Sequence, residues 1–159
     1  MNTIAEKSVN AASYVTRNEM NTLTSGYKQE RWVSNSENLG RSDSMSVWFT
    51  VEQMETFLEE VKANGGNGIR VHFGVFPQNY NNPEVAGMQT VVLVANRSKD
   101  GSLENAKQLL VNKNGRPDIL AMDGPILCPP GCGGGFGVTT PGLGQSTLIL
   151  RKDNSMEVI

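Results

Sequence analysis

The chain has 159 residues, a net charge of −2, 38% hydrophobic residues and 17 glycines, a balance that can bury a core and that excludes global disorder. Fourteen basic residues against sixteen acidic ones leave no footprint for nucleic acid and no polybasic patch for a membrane surface. A single histidine excludes any site built from two.

After Met1 the sequence NTIAEKSVNAASYV has no apolar core of the signal-peptide kind, and no stretch approaches the roughly 20 apolar residues of a membrane span. Cytoplasmic residence is expected. Thr3 and Glu6 read as a capping box, and Ile4, Ala11, Ala12 and Val15 follow at loosely helical spacing. These residues place an N-terminal helical segment at 1–26, closed by Gly26. Residues 27–44 are polar around Trp32 and Val33 and read as a connector.

Met45 to Phe49 form a short β-prone run, with Trp48 and Phe49 expected in the core. Thr50 and Gln53 make a second capping box. Behind it Val51, Met54, Phe57, Leu58 and Val61 share one face of a helix at about 50–63, with Glu52, Glu55, Glu59 and Glu60 on a solvated face and Asn64-Gly65-Gly66 as the stop. In Gly68–Phe76, Ile69, Val71, Phe73 and Val75 alternate with Arg70, His72 and Gly74, as in a strand with one buried face. Pro77 ends it. The loop QNYNNPEVAG, which contains Tyr80, leads to Met88–Ala95, apolar on both faces and therefore a central strand paired with the first as an antiparallel hairpin. Such a loop is long for a hairpin and is a candidate functional loop. Asn96-Arg97-Ser98 matches a glycosylation acceptor only by pattern. Ser102 is expected to cap a short helix carrying Leu103, Ala106 and Leu110.

No Asp, Glu, Lys or Arg occurs in the 27 residues from Gly124 through Leu150. An uncharged, partly apolar and irregular segment is costly to leave solvated, so this tail is expected to lie against the domain, a second copy or a ligand. Thr147–Leu150 can return as a last strand. The expectation is one α+β domain over 1–159, with a core at 45–123 and a Gly/Pro-rich tail at 124–159. Within it a small, mainly antiparallel sheet packs on the amphipathic helix.

Four residue sets carry candidate chemistry. Cys128-Pro129-Pro130-Gly131-Cys132 must form a turn, because its prolines and glycine break a helix. The pair reads first as reduced structural thiols, with a disulfide or a metal or redox site as alternatives. Arg70 and His72 share a strand face about 6.5–7 Å apart along the chain. On a solvated face they are ordinary polar residues. Covered by the tail or by the Tyr80 loop, they would line a ligand pocket in which arginine holds a carboxylate or phosphate and histidine moves a proton. The run GCGGGFG lacks the lysine of a phosphate loop. No metal set or cofactor motif is complete, and no acid, base and nucleophile set can be named.

The stretch from Met45 to Cys132 resembles a family of small bacterial proteins with no assigned reaction. The likeness is carried by SVWFTVEQMETFLEEVKANGGNGIRVHFGVF, by GMQTVVLVANRS and by LCPPGC, and it includes Gly68, Arg70, Gly74, Gln89, Thr90, Cys128 and Cys132. It implies an α+β domain and brings no catalytic residue. The functional expectation is a non-enzymatic binding or interaction domain that forms a homo-oligomer or meets a protein partner. The alternatives are an enzyme using Arg70 and His72 and a thiol or metal site at Cys128 and Cys132.

Overall fold

The computed structural model describes residues 14–124 and 126–131, together with the backbone of two strands at 148–150 and 156–158. The architecture is α+β. Helix α1 (Arg17–Tyr27) starts at a capping box in which the Glu19 amide donates to Thr16 Oγ1 and the Thr16 amide donates to the Glu19 carboxylate. It continues through a π-helical turn (Lys28–Trp32) into α2 (Val33–Leu39). The expected connector at 27–44 is therefore mostly helix, and Gly26 does not end it. The stop is Gly40, whose φ of 76° suits a residue without a β-carbon. The Thr3–Glu6 box lies outside the described residues.

Helix α3 (Val51–Ala63) begins at Thr50, which with Gln53 closes the expected capping box. Phe57 and Val61, one helical turn apart, are buried and pack against Leu93, Ala95, Leu109 and Leu120. Burial of two such side chains contributes about 1.5–3 kcal/mol each. Gly66 closes this junction, since a β-carbon there would stand 2.6 Å from Val61 Cγ1.

Strand β1 (Ser46–Trp48) pairs antiparallel with β8 (Ile126–Cys128). Trp48 is 57% exposed and Phe49 half-buried, so Trp48 is not the core residue expected. Strands β2 (Gly68–Val75) and β3 (Gln89–Arg97) form the long antiparallel hairpin, with Val71 opposite Leu93 and His72 opposite Val92. β3 is the central strand. Its other edge meets β4 (Lys107–Gln108) at Asn96 and Arg97, and β7 (Ala121–Asp123) at Val92 to Val94.

β4 and β7 act as one edge strand broken by an excursion. At Ala95 the carbonyl accepts from the Leu109 amide, the amide donates to Leu120, and the Leu120 amide donates to Leu109. Between those two leucines the chain leaves as the hairpin β5 (Leu110–Lys113) and β6 (Arg116–Ile119). Asn114 and Gly115 turn it with φ of 53° and 82°. An Asn-Gly pair is a strong hairpin signal, and this hairpin carries Leu110, which was expected on a helix from Ser102. Leu103 to Ala106 make only a turn. The last pair, β9 (Leu148–Leu150) and β10 (Met156–Val158), is antiparallel, and β9 matches the expected returning strand.

Candidate functional site

The long helix is tied to the sheet by polar groups. Asp43 is buried, and its Oδ1 accepts the amides of Ser44 and Gln89, each at 2.8 Å. Ser44 Oγ donates to the Gln89 carbonyl. Tyr27 Oη donates to Gln89 Oε1 at 3.0 Å and Asn35 Nδ2 to the same oxygen at 3.3 Å. Trp32 Nε1 donates to the Asp43 carbonyl at 2.7 Å. Burial, reinforced by the Asp43 carboxylate, pushes the Tyr27 phenol above its ordinary value. Of these residues only Gln89 belongs to the motifs quoted from the sequence; Tyr27, Trp32, Asn35, Asp43 and Ser44 lie in the stretch expected to be a polar connector.

The same clamp completes the hydrogen bonding of β3. Along its outer edge Gln89 is held by Asp43 and Ser44, Val91 accepts from Gly124, and Ala95 is held by Leu109 and Leu120. These odd-numbered residues point away from β2, as alternation in an antiparallel ladder requires. On the inner side the Phe76 amide donates to Met88 at 3.0 Å, in register with the ladder. Even-numbered residues of β2 therefore face β3. Ile69, Val71, Phe73 and Val75 aim their N–H and C=O groups away from it, and no other described strand pairs with β2.

Those same odd residues carry the apolar side chains. Val71, Phe73 and Val75 are 55%, 81% and 66% exposed, contrary to the buried face expected from their alternation. Helix α3 covers β3, and of β2 only Ile69 packs against the same core. Phe73 also walls a groove of about 250 Å3 with Tyr27, Ser44, Val47, Phe49 and Val91.

Arg70 and His72 are exposed on the opposite face of β2. Tyr80 stacks on Phe76 with ring centroids 4.6 Å apart. Its loop is held elsewhere, by Arg41 Nη2 donating to the carbonyls of Pro83 and Ala86. Among the described residues, therefore, no pocket gathers Arg70, His72 and Tyr80 together. Arg70 does line a separate cleft of about 180 Å3 with Asn96, Gly68, Ile69, Leu103 and Ala106. Asn96 is buried and its Oδ1 has no partner, an arrangement that costs about 1–3 kcal/mol when nothing fills it. Its burial removes it as a glycosylation acceptor.

Cys128 ends β8 and is disulfide-bonded, which corrects the first reading of reduced thiols. Cys132 lies outside the described residues. Among the described residues no three His, Cys, Asp or Glu side chains group as metal ligands, and no helix is long and apolar enough to cross a membrane. Scans against family models, curated proteins and solved structures return no match to this chain.

Proposed function

We propose that this chain is a non-enzymatic interaction module that self-associates by pairing the outer edge of β2, which no other described strand covers, with β2 of a second copy. The observation that supports it is the coincidence on Val71, Phe73 and Val75 of outward backbone groups with exposed apolar side chains. An edge strand of eight residues in this state is a template for strand addition unless something covers it.

The pattern of β2 favours a second copy as the occupant. About a two-fold axis normal to the sheet, like faces and outward backbone groups match only when paired residue numbers sum to an even number. Centred on His72, the register sets Val71 against the partner's Phe73 and Ile69 against the partner's Val75. It also sets Arg70 against the partner's Gly74, so the two guanidinium groups avoid each other. Centring on Val71 would instead set Arg70 against the partner's His72, a less favourable neighbour. The catalytic alternative needed Arg70 and His72 in one pocket, and of the two only Arg70 lines the cleft. The disulfide-bonded Cys128 weighs toward an oxidising compartment and against the cytoplasm, where thiols are kept reduced.

Val71→Pro tests the reading. It removes an outward N–H without touching the β2–β3 ladder, a position where edge strands tolerate proline. Analytical ultracentrifugation should give a dimer for the native chain and a monomer of similar thermal stability for the variant. A native chain that stays monomeric at its highest soluble concentration, or a variant that dimerises equally well, overturns it.

A further inference from the structure

The cleft beside Arg70 is built from groups that are mostly committed elsewhere. Asn67 exchanges hydrogen bonds with the main chain of Ser98, Nδ2 to the carbonyl at 2.8 Å and the amide to Oδ1 at 2.9 Å. Ser98 Oγ and Ser102 Oγ both donate to Asp100, at 2.9 and 2.7 Å. Asn105 Nδ2 donates to the same carboxylate at 2.6 Å. The loop from Ser98 to Asn105 is thereby held in shape before any ligand arrives. Two polar groups remain. Among the described residues Arg70 is the only charged side chain lining the cleft, and it makes no hydrogen bond or ion pair. Asn96 Oδ1 is buried without a donor. Between them Gly68 stands opposite Asn96 in the ladder, and a β-carbon on it would meet nothing within 4 Å.

We infer that this cleft binds a small carboxylate carrying a hydrogen-bond donor on the carbon next to the carboxylate. The guanidinium of Arg70 takes the carboxylate, for which its planar fork is suited. Asn96 Oδ1 accepts the adjacent O–H or N–H, which supplies the partner that a buried acceptor lacks. Ile69, Leu103 and Ala106 form the apolar wall and suit a short branched hydrocarbon tail. The volume of about 180 Å3 lies below the roughly 300–1,000 Å3 of pockets for drug-sized molecules, which limits the ligand to the size of one amino acid or hydroxy acid. In the self-pairing register Arg70 faces the partner's Gly74, which leaves its guanidinium unopposed, while Ile69 of the cleft wall faces the partner's Val75.

The test is calorimetric titration of the full chain with 2-hydroxy-3-methylbutanoate, valine and 3-methylbutanoate. The hydroxy acid, the amino acid or both should bind, and the difference identifies the donor. The third compound lacks the donor and should bind at least about tenfold more weakly, as expected when a buried acceptor is left unpaired. Arg70→Gln should abolish binding with an unchanged melting temperature. Gly68→Val places a side chain in the open space beside Asn96 and should also abolish binding in a chain at least as stable, since valine suits a strand better than glycine. Absence of binding by all three compounds, equal binding by all three, or full binding in Gly68→Val would each overturn the inference.

Discussion

Asp43 is 4% exposed and one of its oxygens accepts two backbone amides. Removing the carboxyl leaves both donors buried without a partner, so Asp43→Ala should cost about 2–4 kcal/mol, while Asp43→Asn keeps an acceptor and should cost less. Urea unfolding of the two variants separates these outcomes. Tyr27 supplies a second check. Its folded-state value lies above the ordinary 10.0 because burial and Asp43 disfavour the phenolate. The contribution is complete below the unfolded value and is lost as pH rises through the folded one. Melting temperature should therefore fall more steeply at alkaline pH in the native chain than in Tyr27→Phe, which at neutral pH should lose about 1 kcal/mol of hydrogen bonding. Equal alkaline profiles would contradict this. Such residues were invisible in the sequence because Asp43 and Tyr27 meet Gln89 across 46 and 62 positions, and polar contacts at that range leave no period.

Among the elements, α3 and the β2–β3 hairpin could be read directly, because each announces itself through spacing that local geometry dictates. Thr50 and Gln53 fixed one end of α3; of its expected face Phe57 and Val61 are buried and Met54 packs on the core, whereas Val51 and Leu58 are exposed. The α1–α2 helix was not readable beyond Gly26, since the side it turns to the sheet carries Tyr27, Asn35 and Ser36 in place of an apolar stripe. For β2 the alternation gave the strand but not its surroundings. Period 2 marks which residues share a face, and only the packing decides whether a helix covers it. The broken edge strand makes a prediction of its own. Leu120 already donates to Leu109 at 3.1 Å, so excising residues 110–119 and joining the leucines through a two-residue turn should leave a cooperatively folded chain. Circular dichroism should show a melt that is lower by a few degrees. Loss of the cooperative transition would mean that the hairpin, through Val111, is part of the core.

At the scale of the whole molecule, one sheet face is covered and its continuation is not. Phe57 and Val61 cover β3, whereas Val71, Phe73 and Val75 extend the same face into solvent beside backbone that no other described strand pairs. Two copies joined along β2 would satisfy the outward backbone groups, set Val71 beside the partner's Phe73 on the same face and make one continuous sheet. The register also has a residue-level signature. His72 meets its own counterpart at the two-fold axis, so His72→Arg should weaken the dimer about two- to fivefold through like charges placed directly opposite. The uncharged tail, from which self-association was also expected, lies largely outside the described residues and carries no part of this account. The most direct measurement is native mass spectrometry of the full chain beside Val71→Pro. The account predicts a dimer that the proline variant reduces to a folded monomer. A monomer in both, or a dimer in both, would contradict it.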